Sequence, residues 1–289
     1  MEKKKNYKLL IIGTIILIAS VAFSVYAYNT SYQEALTLAD TLTEEELLLL
    51  ERPYSYGLTA VFFAILLCLK GLYHAIIGVT TEKFSVNRLA QAGLLAALCY
   101  IGFAFFKIDI PVGPEKTAFH FGNVFCVLAA LLLGGYWGGL AGAIGMTIGD
   151  LTTAYVTSAP KTFLLKLCIG LIVGFVAHNI FKLSKTHSNK YVTGVTIAAC
   201  ICGMGFNIVA DPLVGYFYKT YLLGVPQDLS KALAKMGAVT TSVNAIVAVI
   251  AASVFYLALR PALKKSGLFV QLCPDDATVT LTKTKKKDK

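Results

Sequence analysis

Eight apolar runs, at 9–28, 56–79, 89–106, 119–133, 136–156, 162–181, 192–214 and 239–259, are separated by short polar stretches. A helix needs about 20 residues to cross a hydrocarbon core about 30 Å thick, at about 1.5 Å per residue. The runs therefore predict an all-α integral membrane protein. The shortest, 119–133, spans only with Thr117 and Gly134 at its ends. Composition agrees, because 56% hydrophobic and 15% charged residues, with a mean hydropathy of +0.68, lie far from the balance of soluble domains.

A net charge of +10 raises the question of nucleic acid. The basic residues sit in short stretches between apolar runs, which is the positive-inside pattern and not a binding face, so no nucleic-acid partner is expected. With the N-terminus inside, 17 of the 26 basic residues fall on the inner side, among them Lys83, Arg88, Lys182, Lys185, Lys190, Arg260, Lys264 and the lysine-rich end. Both termini are expected to be cytoplasmic. The first run reads as a signal anchor, with cleavage after Val25-Tyr26-Ala27 as the alternative.

Three regions follow: residues 1–86, two N-terminal transmembrane helices with an external acidic loop; 87–262, a six-helix membrane domain; and 263–289, a cytoplasmic basic tail. In the loop, Thr43-Glu44-Glu45-Glu46 has capping-box spacing and predicts a short external amphipathic helix. Seven cysteines show no CxxC spacing, so neither a disulfide framework nor a metal site is expected.

Within 134–149, small residues recur every four positions along Gly134, Gly138, Gly142 and along Gly135, Gly139, Ala143, and Gly170 and Gly174 repeat the spacing one helix later. Ridges of this kind let helix backbones approach closely in lipid. A further ridge, Ala92 with Ala96 and Gly93 with Ala97, packs within the bundle or faces a partner subunit.

Measured from the inner ends of their helices, at Lys182, Lys190, Arg260, Tyr136 and Gly134, the residues Lys166, Asn207, Asn244, Asp150 and His120 all fall roughly 21–26 Å above the cytoplasmic face. Ionisable groups at that depth cost a few kcal/mol even on the mildest scale and turn toward a bundle interior or a wet hollow. Asp150 and Lys166 are the sharpest pair. Two readings fit them: a buried ion pair locking two helices, or polar groups that orient a small ligand in a pocket open to the outside. Asp211-Pro212 ends or kinks the seventh span near the same face. The stretch 107–116, with Pro111 and Pro114, is either a lid or a connector. Lys70 and His74, spaced i,i+4, either contact the bundle or mark a proton path.

From 87 to 259, about 60% of the chain, the arrangement resembles the S (substrate-binding) subunit of energy-coupling-factor (ECF) vitamin transporters, riboflavin-type branch. The likeness rests, in order, on Arg88-Leu89-Ala90-Gln91-Ala92-Gly93, a proline-bearing loop, Phe121-Gly122-Asn123-Val124, the glycine ladder ending in Gly149-Asp150-Leu151, and Ala159-Pro160-Lys161-Thr162-Phe163 with Lys166 and Gly170 after it. It implies a six-helix bundle in a bacterial cell membrane that captures a vitamin or vitamin precursor, riboflavin-like or thiamine-pyrimidine-like, at the outer face. The expected substrate-binding residues are His120, Asn123, Asp150, Lys166, Asn207, Asp211 and Asn244. The resemblance also implies docking through Ala92, Gly93, Ala96 and Ala97 on a membrane T subunit driven by two cytoplasmic ATPases. No cofactor is expected in this chain, and the absence of GxxxxGK[ST] leaves ATP hydrolysis to partners. The alternatives are a self-sufficient secondary transporter, which would show repeated halves with broken helices, and a membrane enzyme. Against the enzyme, the four histidines are scattered and HExxH is missing.

Overall fold

The structure is a computed structural model describing residues 7–38, 41–77, 85–113 and 115–273. Lys83, Pro114 and the terminal lysine-rich run lie outside the described residues, as does the His74 side chain.

Two helices precede the main bundle. The first, α1 (Lys8–Ala27), continues through a π turn at Tyr28–Tyr32 into α2 (Gln33–Leu38), and α3 (Glu44–Ile77) runs back beside it. The capping box forms, with Thr43 N donating to Glu46 Oε2 at 2.9 Å. It opens the long α3, not the separate amphipathic helix expected. Close packing of α1 on α3 depends on glycine: a Cβ on Gly13 would reach Cys68 N at 2.9 Å, and one on Gly57 would press on Ser24. Lys70 donates to the Tyr136 hydroxyl at 3.0 Å, tying α3 to the bundle.

The main domain holds α4 (Val86–Ala104), β1 (Lys107–Val112), β2 (Glu115–His120), α5 (Gly122–Thr152), α6 (Ala159–Gly174), α7 (Asn189–Phe217) and α8 (Gln227–Lys265). Seven described helices are long and apolar enough to cross a membrane, where the sequence shows eight runs. The difference lies in α5, whose run is broken at Gly134 (φ 82°, ψ 173°). That conformation is essentially reserved for glycine. The two limbs fold back antiparallel, since Gly122 meets Met146, Gly142 meets Cys126 and Gly138 meets Ala129 and Ala130. Runs 119–133 and 136–156 are thus the arms of one hairpin, and α4 through α8 supply six helical rods.

The glycine ladder divides its work between two faces. Gly138 and Gly142 receive the first limb, while Gly135 and Gly139 receive Gly170 and Gly174 of α6. Behind them, Gly145 sits on the Ala96 carbonyl and Gly149 on the Phe103 ring of α4. This corrects the reading of the α4 ridge. Ala92 is buried and Ala96 half-buried against α5, which leaves Gly93 and Ala97 alone on the open face.

Two other expectations are revised. Residues 107–112 and 115–120 pair as an antiparallel β-hairpin, Lys107 with His120 and Val112 with Glu115, where the sequence offered a lid or a plain connector. Helix α7 runs on past Pro212 to Phe217 and then through a π turn at Tyr218–Leu222, so Asp211-Pro212 does not end it.

At the opposite end, Arg260 Nη2 donates to the carbonyls of Leu183 (3.2 Å) and Lys185 (3.1 Å). Cys273 N donates to Ser184 Oγ at 2.9 Å, so the segment after α8 lies across the end where Lys182, Lys185 and Arg260 gather.

Candidate functional site

The end of the bundle away from Gly134 holds a cavity of about 110 Å³. Asp150 comes from the second limb of α5, Lys166 from α6, Asn207 and Asp211 from α7, and all four line it. Asn123, His120 and Asn244 complete the lining from the first limb of α5, the end of β2 and α8. The structure therefore brings all seven positions to one hollow. His120 arrives differently from expectation: it ends a strand, so its depth cannot be counted along a helix, and it packs edge-on to Phe103 at 4.9 Å.

The seven side chains divide by what they already touch. Asp211 has both oxygens occupied, accepting from Lys161 Nζ at 2.9 Å and Thr241 Oγ1 at 2.8 Å. Asn244 is likewise engaged: its Oδ1 accepts from His120 N at 3.0 Å and its Nδ2 donates to Ala118 O at 3.0 Å. It therefore acts as a partner strand for β2, holding the hairpin over the cavity.

The others keep polar atoms unused. His120 Nδ1, Asn123 Oδ1, Asp150 Oδ2 and Asn207 Oδ1 are buried without a hydrogen-bond partner among the described residues. Each such atom costs about 1–3 kcal/mol, and native interiors carry few of them. Four around one hollow point to a polar group from outside the chain.

No ion pair joins Asp150 to Lys166 among the described residues. The ion pair is instead the half-buried Lys161 with Asp211, because Lys161 reaches across from the first turn of α6. The Lys166 ammonium, on a residue only 6% exposed, makes no hydrogen bond among the described residues. Sequence reasoning missed Lys161 because it stands beside Pro160 at a helix start and reads as loop. It missed the hairpin although Ile108, Ile110 and Val112 alternate.

Aromatic walls come from Phe103 and Tyr155, with ring centres 5.6 Å apart. Tyr155 donates to Asp109 Oδ1 at 2.8 Å, and Lys107 lies over its ring at 4.7 Å, which fixes β1 to the turn between α5 and α6.

His120 lies outside the spanning helices. Burial first, and the Lys166 charge next, push its imidazole from 6.5 down to about 3, so it is neutral at physiological pH. The unfolded chain takes up this proton near 6.5 and the folded chain only near 3, so lowering pH through that window favours unfolding. His120→Phe is expected to reduce the drop in melting temperature between pH 7 and pH 4; an unchanged drop would remove His120 as a source of acid sensitivity.

The sequence model of the family described as "ECF-type riboflavin transporter, S component" matches residues 83–261, which include every cavity residue named above. The chain is also similar to an "Uncharacterized protein in gap 3'region" of Pyrococcus woesei, 28% identical over 108 residues, or 37% of this chain and 69% of that protein. No solved structure matches.

Proposed function

This chain belongs to the ECF-type riboflavin transporter S component family, and from that premise we propose that it captures a vitamin or vitamin precursor in the cavity between α5, α6, α7 and α8. It is a multi-pass membrane protein and a transport subunit, not an enzyme. The observation that carries the proposal is the set of four unpartnered buried atoms beside the Lys166 ammonium. Asn123, Asp150 and Asn207 offer acceptors, Lys166 offers donors, and Phe103 with Tyr155 offers ring faces. A flat heteroaromatic ring carrying both N–H groups and carbonyls suits that set, which supports the riboflavin-like or thiamine-pyrimidine-like cargo that the family implies.

The end bearing Lys182, Lys185, Arg260 and Lys264 is assigned to the cytoplasm by its charge, which puts the cavity at the outer face. Delivery is assigned to a T subunit and two ATPases, with ATP used by those partners alone. Gly93 and Ala97, on the open face of α4, are the surface for that docking.

Titrating riboflavin with the purified chain, following its fluorescence, tests cargo, with the thiamine pyrimidine as competitor. Saturable one-to-one quenching, or its displacement by the competitor, is expected. In liposomes, uptake should require the ATPases and ATP. Accumulation by this chain alone under an ion gradient would overturn the assignment in favour of a secondary transporter.

A further inference from the structure

A second cavity, of about 380 Å³, lies between the N-terminal helices and the site end of the main domain. On one side its walls are Tyr32, Leu36, Leu48 and Glu51; on the other they are Glu115 and Lys116 of the hairpin, with Thr157 and Leu229 beyond. The N-terminal helices are fastened to this rim. Tyr32 Oη donates to Leu223 O at 3.1 Å and Tyr54 Oη to Leu222 O at 3.2 Å. Tyr218 Oη donates to Thr157 O at 2.8 Å, and Tyr32, Tyr54, Tyr218, Leu223 and Val225 share one apolar cluster.

The two cavities are neighbours with a thin partition. Lys116 lines both, and Thr157 lines the outer while Ser158 lines the inner. Glu115 faces the outer cavity, Lys219 faces the inner, and the two form an ion pair with side chains 24% and 10% exposed. Glu51 of α3 is a second carboxylate lining the outer cavity together with Glu115. A buried ammonium does not give up its partner without a replacement. Here the replacement is supplied by the N-terminal helices.

We propose that residues 7–38 and 41–77 build a vestibule to the ligand cavity, in which the Glu115–Lys219 pair is the inner gate and Glu51 receives Lys219 when the gate opens. The inference rests on the inner cavity being the ligand site. It gives the two additional helices a role beyond anchoring, because solutes pass between them and the main domain before reaching Asp150 and Lys166.

Ala234 lines the inner cavity, and no cysteine lines either one, so Ala234→Cys reports access when treated with a small sulfonated methanethiosulfonate. Adding Ala154→Trp, which fills the vestibule, should slow labelling at least tenfold; adding Glu51→Gln should slow it at least fivefold. Rates within twofold of the Ala234→Cys parent in both would overturn the proposal. If Ala154→Trp is not monodisperse in detergent, Leu229→Phe fills the same space from α8 and is judged by the same criterion. Riboflavin protection of Ala234→Cys separates the two readings: no protection together with slowed labelling sinks the cargo assignment but supports the vestibule.

Discussion

Replacing Asp150 with alanine, or Lys166 with methionine, is expected to weaken ligand binding at least about a hundredfold while the unliganded protein melts no lower than wild type. A hundredfold corresponds to about 2.7 kcal/mol, within the range of about 1.5–3 kcal/mol for a hydrogen bond to a charged group. The second half of the expectation separates ligand binding from a structural lock. Removing one partner of a buried ion pair destabilises by about 3–5 kcal/mol, because a charge is left alone. Among the described residues neither Asp150 Oδ2 nor the Lys166 ammonium has a hydrogen-bond partner, and no ion pair joins them, so neither truncation orphans the other. Lys161→Met is the contrast, since it leaves Asp211 with Thr241 alone and should lower the melting temperature. Riboflavin titration and thermal melting of the three variants decide the matter. A large fall in melting temperature for Asp150→Ala with unchanged affinity would make Asp150 a structural residue.

Gly170→Leu is expected to abolish recovery of monodisperse protein. A Cβ at that position would overlap the Gly139 backbone of α5, which cannot move aside without separating two helices along their whole contact. Overpacking of a core typically costs about 1–3 kcal/mol, and more when backbone must yield. In lipid the cost is sharper, because close backbone approach is itself what favours association. Gly205→Leu is the control: nothing lies within 4 Å of its Cβ, so size-exclusion profile and melting temperature should match wild type. Equal recovery of both variants would show that the ladder is not what sets the α5–α6 spacing.

Much of the fold was legible because the bilayer imposes one length and one polarity on every spanning segment. Five cavity residues, His120, Asp150, Lys166, Asn207 and Asn244, were legible for a related reason: a polar group inside an apolar run has no cheap place to go except a shared interior. Asn123, in contrast, came from the family resemblance and Asp211 from its place beside Pro212. Three features escaped for identifiable reasons. Gly134 reads as one glycine of a ladder, and only its positive φ shows that it reverses the chain. The hairpin at 107–120 carries Pro111 and charges, which mask its alternation. The α4 ridge repeats small residues on two adjacent faces, Ala92/Ala96 and Gly93/Ala97, and spacing alone does not say which face α5 covers. Asn244 shows the related limit on roles: its depth is right, but only the structure reveals that both ends of its amide hold β2.

The most direct test is native mass spectrometry of the chain purified in detergent, wild type against Asp150→Ala. The prediction is a single bound mass of a few hundred daltons, one per chain, in wild type and its loss from the variant. Bare protein in both samples after incubation with riboflavin and the thiamine pyrimidine, or the same adduct retained by the variant, would contradict the account of a ligand held among Asn123, Asp150, Lys166 and Asn207.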